Sequence, residues 1–484
     1  MDDRLERIHN ASMTILEDVG IRLFHPEILG LVARNGAKVV DDKVFFGRNE
    51  VMAWVALAPS QFTLFARNPA HNAVIGGEMV QYAAGYGCPR IVTPGGIERN
   101  ARFEDYCRFL KLVQQHPRFN INGGILAQPE DLPSNQAYAA MIYAALCHSD
   151  KVLLGIPGTA AEVEQIMDLV SIVFGGTGEL AARPRILTLV NTISPLQIDA
   201  NALDTLMVCT RYGQPVIISP APMAGATGPI TPAGNIALGN AEALAAIAIC
   251  QMLRKGTPVV YGLHGTTTDM RTGGACIGSP GFALQAAYTA RLAKAYDLPS
   301  RAGGANTDAP EIGAQSGYES MLAMLATRQS GVNLILHAAG ILNSYAAISY
   351  EKFMVDLEIM EMIDYYLRGV SIDDDALALD TIRSVGSEGE YLTRQHTLAH
   401  CRETPWTGTI GVSQPQDGIR ANERYKTNIE REITRMLQAY RKPALPADCQ
   451  HRLDHRLEAM NIDPSHLRAL AGTHGGGPAV TGYP

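Results

Sequence analysis

The run VNLILHAAG at residues 332 to 340 is apolar up to His337, and an imidazole at the end of such a run is a candidate for chemistry. A neutral ring there can orient a bound molecule, or it can sit in a core with its nitrogens satisfied by backbone. Other chemistry-bearing residues stand at the ends of neighbouring apolar runs. SRAGGANTDAPEIGAQ places Asn306, Asp308 and Gln315 close together. Asp308 could lend negative charge to a cation, while TDAPE also reads as a helix N-terminus capped by Thr307 or Asp308. Gln315 is carried as a further polar contact, with a solvated role as its alternative. Aromatic faces attract cations, worth about 0.5 to 2 kcal/mol each when desolvated. Tyr261 and His264 in PVVYGLHG stand where they could supply them, as do Tyr345, Tyr350 and Phe353 beyond His337, and Tyr82 and Tyr86 in QYAAGYGCPR. Taken singly, each packs as readily as it binds. Glu351 adjoins Tyr350 in SYEKF, where Ser349 with Lys352 at the third helical position makes only part of a capping box. A carboxylate ligand would want an arginine, and Arg271 or Arg301 could serve; surface ion pairing is the alternative for both.

Metal chemistry has weaker signals. HTLAH at 396 to 400 and HRLDH at 451 to 455 put two histidines on one helix face, but neither carries the glutamate of HExxH. Both follow the last strand-helix unit, so no metal is expected. Cys276 in GGACIG could meet His264 across a loop.

These residues are positioned by a repeating unit. Short apolar runs start at 119, 151, 185, 215, 258, 300 and 332, and each is followed by a segment of helical period, which makes seven strand-helix units. Strands that are apolar throughout and alternate with helices predict a parallel sheet buried on both faces, most economically closed as a (βα)8 TIM barrel. The eighth strand is expected around ALDTIRSVG. An open doubly wound sheet is the alternative, but no GxGxxG follows the first strand. Residues 1–100 read as an α+β extension, 101–385 as the barrel, and 386–484 as a helical extension whose last residues, THGGGPAVTGYP, read as a flexible tail. In such barrels chemistry sits where strands end. The stretch PMAGATGPITPAG follows the strand PVIISP and belongs to a region without a charge from Tyr212 to Ala241. It is either a loop stiffened by proline or a small-residue mouth, centred on Gly225, Ala226, Thr227 and Gly228, that lets something large and flat approach the strand ends.

Composition narrows the partners. A net charge of −8 with no basic cluster leaves no footprint for nucleic acid or an anionic membrane. The start, MDDRLERIHNASMTIL, lacks a signal-peptide core, and eight scattered cysteines suit a reducing compartment, so a cytoplasmic location is expected. Oligomerisation as a homo-oligomer is a further expectation.

Several motifs in order carry a resemblance. GATGPITPAG followed by GNAEALAAI resembles the trimethylamine:corrinoid methyltransferase (MttB-like) family, as do TDAPEIGAQSGYES, NLILHAAGIL, SYEKFMVDLEI and YLTRQHTLAHCR. With IHNASMTILEDVGIRL and APSQFTLFARNP included, the resemblance covers nearly the whole chain. It implies a barrel that moves a methyl group from a methylated amine to the Co(I) centre of a cobalamin carried by a separate corrinoid protein, with the uncharged mouth facing the corrin ring.

One departure bears on the substrate. The family's trimethylamine enzymes contain pyrrolysine, which this sequence lacks. Trimethylamine is neutral and must be made cationic before it can lose a methyl group, whereas a quaternary ammonium already carries the charge and departs as a neutral amine. Holding it in line for attack can supply about 7 to 11 kcal/mol in favourable cases. The resemblance therefore implies a quaternary amine: glycine betaine first, with proline betaine, carnitine and γ-butyrobetaine as alternatives. On that reading His337, Asn306 and Asp308 act at the reacting centre, and the aromatic residues with His264, Gln315 and Glu351 bind the substrate. A barrel that binds a betaine or a corrinoid protein without turnover, and a zinc-dependent methyltransferase, are the competing readings.

Overall fold

The computed structural model describes residues 1–413 and 420–472. Eight short parallel strands alternate with helices along the chain. The first units are β1 (Gln81–Tyr82), α1 (Phe103–Gln115), β2 (Ile121–Gly123), α2 (Ser134–His148), β3 (Val152–Leu154) and α3 (Ala160–Val173). The middle of the barrel is β4 (Ile186–Val190), α4 (Ala200–Arg211), β5 (Val216–Ile218) and α5 (Pro232–Leu253). It ends with β6 (Val259–Gly262), α6 (Pro280–Ala295), β7 (Ser300–Gly303), α7 (Ala314–Gln329), β8 (Leu334–Leu336) and α8 (Tyr350–Arg368). Each strand pairs with its sequence neighbour, β8 pairs back onto β1 through Ile335 and Tyr82, and a parallel bridge from Tyr82 to Phe119 closes the ring ahead of β2.

The seven units expected from sequence are all present, and the eighth strand is corrected. Leu379–Val385, within ALDTIRSVG, is a helix; the missing strand is Gln81–Tyr82, upstream of the expected barrel boundary. Two residues are too few to show a strand pattern, and they become a strand only because β8 offers a free edge.

Burial on both faces explains the strand composition, since all five residues of β4 are buried. Side-chain caps start several helices: Thr159 with Glu162 at α3, Asp199 at α4, Ser279 at α6 and Ser349 at α8. TDAPE begins no helix, because α7 starts at Ala314 after Gly313. Helix α5 is predominantly apolar and buried on every side from Asn235 to Gln251, as suits a helix enclosed by protein. Among the described helices it alone is long and apolar enough to cross a membrane, and 89% of its most apolar window is buried by the protein.

The N-terminal residues pack outside the barrel wall. Ser12 of the helix Asp3–Thr14 donates to the Ala237 carbonyl of α5 at 2.9 Å and accepts from Asn240 at 2.9 Å. Strand Ile21–Leu23 pairs with Gln197–Ile198 from the loop after β4, joining the extension to the barrel. That loop is held by buried Glu242 of α5, which accepts from Ser194 Oγ at 2.9 Å, from the Leu196 amide at 2.8 Å and from Thr192. Past the barrel, helix Ala421–Ala439 packs on α8 and α1, and Ala447–Ala459 packs on α2 and α3. The tail THGGGPAVTGYP lies outside the described residues.

Candidate active site

The C-terminal ends of β6, β7 and β8 bring a cluster of rings onto the barrel axis. His337 follows β8 with φ of +59°, a left-handed conformation that costs a non-glycine residue roughly 1 to 3 kcal/mol. Its amide donates to the Ala84 carbonyl at 3.0 Å, tying the turn to the end of β1. The imidazole stacks on His264 at 5.4 Å between centroids, lies 4.6 Å from Tyr345 and meets Tyr86 edge-on at 6.5 Å. His264 in turn touches the Tyr345 hydroxyl through Nε2 and meets Phe282, in the first turn of α6, edge-on at 5.1 Å. Tyr86 donates to the Gly155 carbonyl at 3.2 Å and can come this close because residue 124 is glycine; a Cβ there would stand 2.8 Å from its ring. His337 and Tyr86 are buried, while His264 and Tyr345 keep partial exposure, so the cluster opens to solvent past these two rings.

Beneath the rings lies Arg301 of β7, 1% exposed. Its Nη1 donates to Ser219 Oγ at 2.9 Å, its Nη2 stands 3.1 Å from His337 Nδ1, and its Nε has no partner. No carboxylate among the described residues faces it. Burial pulls the guanidinium down to about 10, so it is still a cation at neutral pH. Burial, and then the nearby Arg301 charge, push both imidazoles well below the ordinary histidine range. Burial pushes the Tyr86 and Tyr345 hydroxyls upward. The site therefore holds one uncompensated cation among neutral rings. Further unpartnered polar atoms gather at the same end: both side-chain atoms of buried Asn306, Oδ1 of Asn235 and Nε2 of Gln285.

The loop carrying Tyr345 is held in an uncommon shape, with Asn343, Ser344 and Tyr345 at φ of +50°, +49° and +73°. Asp308 supplies the restraint. Its carboxylate accepts from Ser344 Oγ at 2.7 Å and from the amides of Ile277 at 2.8 Å and Gly278 at 3.1 Å. Its oxygens are thus engaged with loops, and it aims Tyr345 rather than touching the cluster. Behind these loops, Lys352 and Asp356 of α8 form a fully buried ion pair. Asp356 accepts from the Gly340 amide at 2.7 Å, and Lys352 donates to Ser320 at 2.9 Å and reaches the Ala305 carbonyl at 3.5 Å, so one pair braces the segments after β7 and β8.

The uncharged stretch after β5 forms the rim beside the cluster. His264 donates its amide to the Pro220 carbonyl at 2.7 Å, and Met223–Ala224 pairs with Thr266–Thr268. The turn that follows is stabilised by Thr227 Oγ1, which accepts from the Met223 amide at 2.8 Å. Gly225 and Ala226 are exposed, with Ile230 and Met270 beside them 59% and 69% exposed. A Cβ on Gly225 would stand 2.6 Å from Ile230. The result is a shallow apolar rim. A separate cleft of about 500 Å³, lined by Gln128, Glu130, Ser134, Tyr138 and Glu162, lies on the rim near β2 and β3 and contains none of the cluster.

Of the residues singled out from sequence, Tyr86, His264, His337 and Tyr345 come together, and Asn306 adjoins Phe282 beside them. Others do not. Tyr82 packs outward beneath Arg328, and Tyr261 donates to Asn240 at 2.7 Å behind the sheet. Tyr350 stacks on Phe109 and donates to Asp105, and Phe353 packs between Phe109 and Phe119, all between helices. Gln315 is exposed and bound to Glu319, and Glu351 accepts from Ser349 beside a different cavity. Arg271 is exposed and paired with Asp269. The Cys276 thiol faces the Gly274 carbonyl at 3.9 Å rather than His264. Sequence reasoning passed over Ser219, Phe282, Asn235 and Gln285. Their common signal is position, at a strand end or in the first two turns of the helix that follows.

The whole-chain comparisons agree with this barrel. The family model "Trimethylamine methyltransferase (MTTB)" matches residues 1–459. The chain is 38% identical to a glycine betaine methyltransferase of Desulfitobacterium hafniense strain Y51 over 455 residues, covering 93% of this chain and 95% of that protein. It is 30% identical to the trimethylamine methyltransferase MttB of Desulfitobacterium hafniense strain DSM 10664 over 451 residues, covering 92% and 90%. The solved monomethylamine methyltransferase (MtmB) of Methanosarcina barkeri superposes with a TM-score of 0.52 at 11% identity, over 96% of this chain and 87% of that one, a likeness of fold.

Proposed function

The chain belongs to the trimethylamine methyltransferase (MTTB) family, and from that membership and the site's chemistry we propose that it transfers a methyl group from a carboxylate-bearing quaternary amine, glycine betaine first, to the Co(I) of a corrinoid protein. One observation carries the substrate class: Arg301 is a buried cation with no carboxylate partner among the described residues, surrounded by neutral rings. A betaine complements both features, its carboxylate pairing with the guanidinium and its ammonium resting on aromatic faces. A quaternary nitrogen has no N–H to donate, so ring faces suit it better than hydrogen-bond acceptors would.

Within this reading Arg301 grips the carboxylate, and Tyr345, Tyr86 and Phe282 with the two imidazoles surround the methylated head. Asn306 offers polar atoms that lack partners among the described residues. The N–CH3 bond breaks with its electron pair left on nitrogen, so the amine leaves neutral and no side chain need move a proton. The protein's contribution is aim and the exclusion of water. The corrinoid, brought by its carrier protein as methyl acceptor, supplies the electron pair for the new bond to carbon. The rim fits such an acceptor: Gly225 and Ala226 present no bulk, and Ile230 and Met270 offer apolar surface to a flat ring.

The test is to mix the purified chain with Co(I)-cobalamin and glycine betaine, proline betaine, carnitine, tetramethylammonium or trimethylamine. Loss of the Co(I) absorbance with gain of the methylated cobalt product is expected with a betaine. Transfer from trimethylamine at a rate equal to that from the betaines would overturn the proposal, and binding of betaines without transfer would favour a non-catalytic barrel.

A further inference from the structure

We propose that His396, His400 and Asp375 form a site for a borderline divalent cation such as Zn2+, outside the barrel and apart from methyl transfer. The helix Gln395–His400 carries both histidines on one face, with ring centroids 4.4 Å apart. Missing from the sequence pattern was a third ligand, and it comes from upstream. The turn Asp374–Leu377 is capped by Asp373, which accepts from the Ala376 amide at 2.9 Å, and this cap sets the backbone that presents Asp375. His400 Nε2 stands 3.0 Å from the Asp375 carboxylate, His396 Nε2 stands 3.0 Å from the Asp375 carbonyl, and one donor atom from each of the three residues lies within 4.8 Å of the others.

Zinc bonds to imidazole and carboxylate run about 2.0 to 2.2 Å, so donors around one ion stand roughly 3.3 to 3.5 Å apart. Small side-chain rotations close that gap. Two nitrogen donors favour zinc and its transition-metal neighbours over magnesium or calcium, which prefer oxygen. Three protein ligands leave a fourth position for water.

The surroundings give the ion something to do. From Val370 to Leu398 the chain builds almost no core, with Val370, Ile372, Leu392 and Leu398 each more than 70% exposed. Two short helical segments that bury so little gain most from a cross-link between them, since the ion restricts the chain where apolar packing does not.

The test uses the full chain, stripped with chelator and titrated calorimetrically with ZnCl2, with MgCl2 as comparison. One equivalent of zinc is expected to bind, and magnesium is not. His400→Gln and Asp375→Asn each weaken zinc by about a hundredfold or more, while the paired His451→Gln and His455→Gln control leaves it unchanged. Zinc also slows proteolytic cleavage between residues 370 and 412 in the wild-type chain but not in His400→Gln. All three residues lie outside the buried core, so the variants fold, and melting of the barrel in chelator checks this. Equal zinc affinity in wild type and His400→Gln, or no binding at millimolar zinc, overturns the site.

Discussion

At the scale of single residues, Arg301 sets function against stability. Its cation sits in the barrel with no carboxylate partner among the described residues, an arrangement that costs stability until a ligand supplies one. Arg301→Met removes that cost and fills similar volume. Its melting temperature is therefore expected to rise by about 1 °C, corresponding to ~1 kcal/mol in a chain of this size. The same change should lower kcat/KM for glycine betaine by about a hundredfold, because the carboxylate loses its partner, worth ~3 kcal/mol. Tetramethylammonium, which has no carboxylate, should react within a few-fold of the wild-type rate. An equal loss for both substrates would move Arg301 from substrate binding to general architecture. The pH profile follows from the same residues. Both imidazoles are held neutral and both tyrosines protonated, so turnover should be flat between about pH 6 and 8. Arg301 is depressed to about 10, so KM for the betaine should climb as the pH passes that value and the guanidinium gives up its proton.

At the scale of elements, the site depends on how the loops after β7 and β8 are anchored. The Lys352–Asp356 pair is fully buried and spans both, through Ser320 and the Gly340 amide. Asp356→Asn leaves the lysine cation alone in the core and should destabilise the protein by about 3 to 5 kcal/mol, read by denaturant unfolding. Replacing both members with leucine or methionine should recover most of that stability, yet still lower turnover, because the Gly340 and Ala305 segments lose their fixed partners. Recovery of full activity in the double variant would show that the pair adds stability without positioning the site.

For the whole molecule, acid lability is expected. His116 and His148 are packed where the C-terminal helices meet the barrel, and burial pulls them down to about 4 and about 3. His148 also faces the Tyr440 hydroxyl at 3.1 Å. Their folded values lie below the unfolded value of 6.5, so the unfolded chain takes up protons first as pH falls. Stability is therefore intact above about pH 6.5 and is lost below it until the folded values are reached. At pH 5 each group costs about 2 kcal/mol relative to pH 8. Melting temperatures at the two pH values measure this, and His148→Asn should shrink the difference by about half of the two-residue effect.

Much of this molecule was legible along the chain. Seven mostly apolar runs followed by helical periods specify a parallel barrel, because a strand buried on both faces is largely apolar, and His337 stood out as the polar residue closing such a run. The uncharged stretch at Gly225 to Gly228 likewise marked the rim. Side-chain direction was not legible. Tyr82, Tyr261, Tyr350 and Phe353 have the right residue type at the right end of the barrel, yet they face the helices, because successive residues on a strand point to opposite sides and loops obey no period at all. The closing strand Gln81–Tyr82 and the gathering of Arg301, Ser219 and Phe282 needed the ring to close before they existed as features. Sequence determined which face of each element would be buried, since that is a local matter of hydrophobic period. Which buried residues meet across the axis was decided by the tertiary structure, because only closure of the barrel brings distant strand ends within contact.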